Sequence, residues 1–222
     1  MSYKQIAVDG PAVSGKSSAA KLLAQKLGWL YLDSGAIYRC ITLSTLRGFQ
    51  IKGEALFSRL DYCKISLKQN PVKPGCIVYI NEEDVSEKIR EQEVSDHILP
   101  ISGDPDVRKW VTDFLRRAAN SDNVVMDGRD IGSVVFPEAI YKFYMTASLE
   151  SRTERRFKDL NDIETKTHTR ENIYEMLKKR DEGDQNRKIA PLIQTADAIL
   201  IDNSQLNLTE TVDNMMAYLT KI

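Results

Sequence analysis

Residues 10–17 read Gly-Pro-Ala-Val-Ser-Gly-Lys-Ser, and their spacing matches the phosphate-binding pattern GxxxxGK[ST]. In such a loop, successive backbone N–H groups and the N-terminus of the following helix surround phosphate oxygens. Lys16 is then placed to reach the β- and γ-phosphates, and the Ser17 hydroxyl to face a magnesium ion. The pattern predicts binding of a nucleoside triphosphate, but it does not separate kinases from GTPases, ATPases or nucleotide switches.

Two further polar stretches each follow a predicted strand. Residues 33–39 read DSGAIYR, and residues 127–130 read DGRD. Since the carboxyl ends of parallel strands meet at one edge of a sheet, both stretches are expected to face the cleft of the phosphate loop. They supply Arg39 and Arg129, and arginine forms bidentate pairs with phosphate oxygens. This predicts a second phosphorylated ligand; the alternative is that these arginines form surface salt bridges.

A late helix carries charges where its apolar face should continue. Ile173, Met176 and Leu177 define that face, and the next positions at helical spacing are Arg180, Asp184 and Arg187. We expect these charges to point into a cleft, where a phosphate would compensate them. The alternative is a helix that ends at Gly183 with solvated charges. In the preceding helix, one face carries Arg152, Arg155 and Arg156, either as a solvated face or as part of the site.

Strand-like and helical patterns alternate along the chain, which indicates an α/β fold with a mostly parallel sheet. The apolar run Ile6–Val8 precedes the phosphate loop, and Ala20, Leu23 and Ala24 follow it at helical spacing. Residues 61–100 break this rhythm and are interpreted as an inserted antiparallel piece. Asp104 and Pro105 are typical of a helix N-terminus, and Val107, Trp110, Val111 and Phe114 form the predicted apolar stripe of that helix.

Composition limits the classes of partner. The chain has 222 residues, with 31 Lys and Arg against 32 Asp and Glu, for a net charge of −1. This balance disfavours a dedicated nucleic-acid binder. No stretch approaches the roughly 18 apolar residues of a membrane span, so no membrane partner is expected. Three cysteines without a CxxC pair, together with the lack of a secretory signal pattern, predict a reducing, cytoplasmic location.

The stretches GPAVSGKSS, LDSGAIYR, MDGRDIGSVVFPEA and RDEGDQNRKIAPL together resemble the bacterial cytidylate kinases, members of the nucleoside monophosphate kinase group. The resemblance implies ATP-dependent phosphorylation of CMP and dCMP to CDP and dCDP in pyrimidine nucleotide metabolism, by a monomer that uses Mg²⁺. It implies a P-loop kinase core with a five-stranded parallel sheet flanked by helices. The core would span residues 1–60 and 101–222, with a mobile helical lid near 152–168. Residues 61–100 would form a monophosphate-binding insertion with a small antiparallel sheet.

The same resemblance assigns roles to individual residues. The ATP-binding loop would comprise Gly10, Pro11, Ala12, Val13, Ser14, Gly15, Lys16, Ser17 and Ser18, with Ser17 at the metal. The CMP site would comprise Ser34, Tyr38, Arg39, Arg108, Arg129, Asp130, Asp184 and Arg187. Within it, Arg108 and Asp130 would read the cytosine. Lys16, Arg129 and Arg180 would be catalytic, and Arg152, Arg155 and Arg156 would contact phosphates from the lid.

The chain departs from the family pattern at several positions. A serine found in many relatives nine positions before the base-reading arginine is replaced by Leu99, and Ser102 is a candidate substitute. Gly183 and Gln185 stand where relatives often have further arginines, and Ser17 stands where many have glycine before a threonine. Two other functions stay open at this point. One is a P-loop kinase for another nucleoside monophosphate or a small acceptor, and the other is a nucleotide-binding module without activity.

Overall fold

Five parallel strands form the central sheet in a computed structural model that describes residues 3–49, 60, 63–70, 75–160 and 168–220. The strands of the described residues are β1 (Gln5–Asp9), β2 (Leu30–Asp33), β3 (Ile65–Gln69), β4 (Cys76–Ile80), β5 (Glu83–Asp84), β6 (Val124–Gly128), β7 (Tyr141–Thr146) and β8 (Ile199–Asp202). The order across the central sheet is β2-β6-β1-β7-β8. The predicted α/β class and five-stranded parallel sheet are confirmed.

Helices cover both faces of this sheet. They are α1 (Lys16–Leu27), α2 (Ser34–Leu46), α3 (Gln92–Gly103), α4 (Pro105–Ala118), α5 (Leu149–Lys158), α6 (Arg170–Asn186) and α7 (Leu208–Ala217). Since successive side chains of a strand point to opposite faces, Ala7 packs in the core cluster of α2 and α4, whereas Ile6 and Val8 pack in the cluster of α1 and α7. Within the described residues, no helix combines the length and apolar character that crossing a bilayer requires.

The central strands are apolar along almost their whole length because both faces are covered. All five residues of β6 are buried, as are the last four of β1. Strand β1 lies between β6 and β7, and its residues Val8 and Asp9 stand opposite Asp127 and Gly128 of β6. The polar residues at the ends of β1, β2 and β6 are therefore brought to one edge of the sheet.

The inserted segment contains the predicted antiparallel sheet, in the order β3-β4-β5. It is followed by helix α3, which the sequence reasoning did not predict. A proline inside a helix removes one hydrogen bond and usually marks a boundary, yet Pro100 lies inside α3. The domain limit predicted between residues 100 and 101 falls inside this helix. The division into core and insertion stays a prediction.

Helix α4 begins as its sequence predicts. Asp104 is the N-cap, its side chain accepts hydrogen bonds from the backbone N–H groups of Asp106 and Val107, and Pro105 occupies the first position. The predicted apolar stripe is buried at Val107 and Trp110. The cap thus fixes the first turn of the helix that carries Arg108.

We expect Asp104→Ala to lower the free energy of unfolding by about 1 kcal/mol, because it leaves N–H groups of the first turn without an acceptor. Urea denaturation would measure the loss. Asp104→Asn is the matched control, since an asparagine oxygen can still cap the helix. Equal losses in the two variants would show that the cap itself contributes nothing.

Candidate active site

The phosphate loop lies between β1 and α1, as its pattern predicts. Gly15 is the N-cap of α1 with φ 82°, a left-handed conformation that favours glycine. Gly10 is required by close packing, because a Cβ there would lie 2.0 Å from the backbone oxygen of Met145. Among the described residues no side chain caps α1, so the first N–H groups of the helix stay available to an anion.

Lys16 is buried in the first turn of α1, where its ammonium donates to the backbone oxygen of Pro11 at 3.1 Å. Burial, reinforced by the charge of Arg129, lowers the pKa of Lys16 to about 7. An anionic ligand would favour the charged form of this lysine. The local electrostatics therefore suit a phosphate more than a neutral ligand.

Ser17 contacts a carboxylate that the sequence reasoning did not assign to the site. Its hydroxyl donates to Asp127 Oδ2 at 2.6 Å, and the Tyr31 hydroxyl donates to Asp127 Oδ1 at 2.6 Å. Burial, with a further contribution from Asp33, raises the pKa of Asp127. The signal was present in the sequence, because Asp127 lies at the carboxyl end of a buried strand, but only the position of that strand next to β1 brings Asp127 to Ser17.

A single cavity of about 580 Å³ extends from the phosphate loop along the carboxyl edge of the sheet. Its volume is in the range of small-ligand sites. Nine basic and five acidic side chains line it, so the cavity favours an anionic ligand although the whole chain is close to neutral. Among the predicted site residues, the lining includes Ala12, Val13, Lys16, Ser17, Ser34, Tyr38, Arg39, Arg108, Arg129, Asp130, Arg156, Arg180, Asp184 and Arg187.

Helix α6 continues past Gly183 to Asn186, so the alternative of an early helix end is excluded. Arg180 lies on the inward face and lines the cavity. Burial, with the neighbouring charge of Arg129, lowers the pKa of Arg180 to about 10. In the part of the chain that the structure describes, no acceptor takes a hydrogen bond from this guanidinium. A cation in this position suits a phosphate from a ligand.

Asp184 organises two neighbouring arginines. Its Oδ2 accepts from Arg129 Nε at 2.7 Å, and its Oδ1 lies 3.8 Å from Arg187 Nη1. Burial alone would raise the pKa of Asp184, but Arg129 and its hydrogen bond hold that pKa below its usual value. Arg187 Nη2 is buried without a hydrogen-bond partner among the described residues and lies 3.7 Å from Asp130. Asp184 therefore holds Arg129 in place at the cavity wall.

A second ion pair, between Arg108 and Asp130, also lines the cavity. Arg108 on α4 and Asp130 after β6 are both buried and hydrogen-bonded to each other. The ring of Tyr38 lies 5.5 Å from the Arg108 guanidinium carbon. Arg108 also donates to the backbone oxygen of Ser102 at 2.9 Å. This part of the cavity wall offers fixed donors and acceptors next to an aromatic ring, which suits a planar polar group.

Leu99 and Ser102, the two positions in question at the base site, both line the cavity. The Ser102 hydroxyl donates to the backbone oxygen of Leu99 at 3.3 Å. Its oxygen keeps acceptor capacity toward the cavity. A base contact from Ser102 stays a prediction.

Arg39 connects the core to the inserted segment. Its Nη1 donates to the backbone oxygen of Ile89 at 3.1 Å and to Ser95 Oγ at 2.9 Å. Ser34 is buried and donates to the backbone oxygen of Asp127 at 2.8 Å. Two lining residues absent from the predicted site, Arg90 and Asp33, form an ion pair between the insertion and the end of β2. Only the folded chain brings these two together.

The three arginines of α5 take different positions. Arg152 donates to the backbone oxygen of Ala12 at 3.1 Å and pairs with Asp181. Arg155 donates to the backbone oxygen of Asn203 at 2.7 Å. Both therefore support the surroundings of the phosphate loop and do not line the cavity. Their contact with phosphates stays a prediction.

Arg156 is the member of this group that lines the cavity, and it donates to Gln92 Oε1 of α3 at 3.2 Å. This contact joins α5 to the inserted segment across the cleft. Part of the predicted lid, residues 161–167, lies outside the described residues. Ser18 is exposed on α1 and does not line the cavity.

Comparisons with known proteins show the family of the chain. The family model described as cytidylate kinase matches residues 6–221. A cytidylate kinase from Caldanaerobacter subterraneus subsp. tengcongensis is 42% identical over 98% of this chain and 95% of its own length. A cytidylate kinase from Carboxydothermus hydrogenoformans is 42% identical over 96% of this chain and 95% of its own length. A solved gluconokinase from Sinorhizobium meliloti 1021 covers 96% of this chain and 90% of its own, with TM-score 0.52 and 16% identity, which shows a shared fold. The chain belongs to the cytidylate kinase family.

Proposed function

We propose that this protein transfers the γ-phosphoryl group of ATP to CMP and dCMP, forming ADP and CDP or dCDP. The observation that carries the proposal is one cavity lined by two different groups of residues. Lys16 and Ser17 of the phosphate loop line it, and so does the Arg108–Asp130 pair. Burial is the main cause of the lowered pKa of Lys16, and the charge of Arg180 adds a smaller contribution. Burial likewise dominates the lowered pKa of Arg180, to which the charge of Arg39 contributes. Arg180 therefore interacts electrostatically with Lys16 of the phosphate loop and with Arg39 of the proposed CMP site.

In the proposed reaction, an oxygen of the CMP phosphate forms a bond to the γ-phosphorus of ATP while the bond from that phosphorus to the bridging oxygen breaks. The acceptor phosphate is already ionised, so no protein base is required. Catalysis is then mainly alignment and stabilisation of charge on the transferring group. Lys16, Arg129 and Arg180 supply that charge. Arg156 and the remainder of α5 would help to exclude water when the cleft closes.

A magnesium ion fits the residues beside the phosphate loop. Mg²⁺ prefers oxygen ligands and is usually held by one or two carboxylates together with substrate phosphates. The Ser17 hydroxyl and the Asp127 carboxylate provide such oxygens, 2.6 Å apart. These two residues would hold the ion. When bound, Mg²⁺ neutralises phosphate charge during transfer.

We expect Asp127→Asn to raise the Mg²⁺ concentration for half-maximal rate about tenfold or more, because an amide is a weaker ligand than a carboxylate for a hard cation. Rates at fixed ATP and CMP over a Mg²⁺ series would measure this. Asp122→Asn, at an exposed position before β6, makes the same charge change and is the control. An unchanged Mg²⁺ dependence in Asp127→Asn would remove this residue from the metal site.

An assay of ADP release with CMP, dCMP, UMP and AMP tests the function directly. The proposal requires the highest kcat/KM with CMP or dCMP. Preference for AMP, for UMP or for a small hydroxyl compound would instead support another P-loop kinase activity. ATP binding without acceptor-dependent ADP release would indicate a non-enzymatic module.

The proposal describes a monomeric, cytoplasmic enzyme that acts on small molecules in pyrimidine nucleotide metabolism. The monomer rests on family resemblance and the location on the cysteine pattern. Cys40 and Cys76 form no disulfide among the described residues, and burial raises the pKa of Cys40 to about 12 and that of Cys76 to about 11. Both therefore stay almost entirely protonated at neutral pH. Light scattering at assay concentrations would measure the oligomeric state.

A further inference from the structure

Asp9 is the last residue of β1, directly before the first glycine of the phosphate loop. It is buried, with 6% of its surface exposed. It is absent from the cavity lining. A buried carboxylate is costly unless hydrogen bonds compensate it, so its partners indicate what it does.

Both carboxylate oxygens of Asp9 accept backbone hydrogen bonds from one short segment. Oδ1 accepts from the N–H of Ile131 at 2.8 Å, and Oδ2 accepts from the N–H of Gly132 at 2.7 Å. These two N–H groups begin the helical turn Ile131–Val135, whose N-cap is Asp130. The side chain of Asp130 does not cap this turn. Asp9 therefore caps it from another strand.

Because Asp9 caps this turn, the side chain of Asp130 can pair with a residue of the cavity wall. Its carboxylate pairs with Arg108 instead of its own turn, and Arg129 immediately before it reaches Asp184. A Cβ on Gly132 would lie 3.4 Å from Asp9 Oδ2 and 3.0 Å from Lys142 Cδ, so this turn packs closely against β1 and β7. Asp9 holds the backbone of the turn Ile131–Val135 against β1, the strand that leads into the phosphate loop. Arg129 and Asp130 of the proposed CMP site directly precede this turn.

We infer that Asp9 is a positioning residue that sets the place of Arg129 and Asp130 relative to the phosphate loop. The inference rests on the proposed function, since it concerns how the CMP site is aligned with the ATP site. Asp9 itself makes no contact with substrate in the proposed reaction. It acts through the turn 131–135, in the way that a buried supporting hydrogen bond holds a binding residue in its productive place.

The substitution Asp9→Asn tests this with little change in volume. The amide has one acceptor oxygen, so it satisfies one of the two N–H groups and turns an NH₂ donor toward the other. We expect the KM for CMP to rise about tenfold or more, as for the loss of one charge-assisted hydrogen bond. The ratio of kcat/KM for CMP over UMP should fall, and the Kd of Mg·ADP should stay within about threefold. The assays should be run at pH 8 so that Asp9 of the wild type is ionised, because burial raises its pKa to about 6.

Val212→Ala is the matched control. Val212 is fully buried on α7, in the core cluster on the other face of the sheet. This variant loses stability without touching the turn 131–135, so its KM for CMP and its CMP preference should match those of the wild type. An equal loss of ADP and CMP affinity in Asp9→Asn would mean general destabilisation and would overturn the inference, as would unchanged CMP parameters.

A measurement on the wild type keeps the inference testable if Asp9→Asn does not fold. Amide hydrogen exchange should show Ile131 and Gly132 protected in the ligand-free enzyme to the level of β1. Fast exchange of these two amides would overturn the inference. This readout does not depend on activity, and wild-type turnover with CMP, measured in parallel, tests the proposed function separately.

Discussion

Replacing Arg180 by alanine should lower kcat about 10²- to 10³-fold, the loss that follows removal of one group that stabilises charge in the transition state. Arg180 lines the cavity and lies within electrostatic range of Lys16 and Arg39. Because its guanidinium has no acceptor among the described residues, its removal leaves no protein carboxylate unpaired. We therefore expect the fold and the stability to change little.

The effect should be concentrated in turnover. The phosphate loop and Lys16 remain in Arg180→Ala, so the Kd of Mg·ATP should change by less than about threefold, as expected when an interaction is made mainly in the transition state. Steady-state kinetics and equilibrium binding would separate the two quantities. Arg180→Lys should recover part of the rate, since lysine keeps a charge but loses the planar fork.

The control for this experiment lies on the same helix. Lys178→Ala removes one positive charge from an exposed position of α6 that does not line the cavity, and it should leave kcat near the wild-type value. If Arg180→Ala kept wild-type turnover, Arg180 would have no part in phosphoryl transfer. If ATP binding fell as much as kcat, its role would be donor binding instead.

Asp130→Asn should reduce the preference for CMP over UMP by roughly 1–3 kcal/mol, or about 5- to 150-fold in the ratio of kcat/KM. Cytosine presents an amino donor where uracil presents a carbonyl acceptor. A carboxylate accepts from the amino group of cytosine and repels the uracil oxygen. An asparagine can turn its NH₂ toward that oxygen, so UMP should gain while CMP loses.

Asparagine is preferred to alanine here because Arg108 is buried and paired with Asp130. The amide oxygen can still accept from Arg108, whereas alanine would leave a buried guanidinium without its partner, at a cost that has nothing to do with base recognition. Asp106→Asn, an exposed position on the same helix as Arg108, makes an equal charge change and should leave the preference unaltered. An intact CMP preference in Asp130→Asn would show that another group reads the base.

Local patterns predicted much of this protein correctly. The phosphate loop, the cap at Asp104 and the apolar stripe of α4 depend on residues close together in sequence, where conformation and capping act directly. The inward position of Arg180 on α6 was predicted because it follows Leu177 by three residues, and helical spacing places both on the same face. Helix α3 was missed because the tertiary packing of Val94 and Ile98 outweighs the local cost of Pro100.

The sequence by itself determined the α/β class, the nucleotide-binding loop and most of the charged residues that line the cavity. Tertiary structure alone decided which of those charges meet. Ser17 and Asp127 are 110 residues apart, and Asp9 and Gly132 are 123 apart. Such contacts depend on which strands are neighbours and on the register between them. Neither can be read from the residues of one strand alone. Tertiary packing also separates the three arginines of α5, since Arg152 and Arg155 bind backbone oxygens near the phosphate loop while Arg156 lines the cavity.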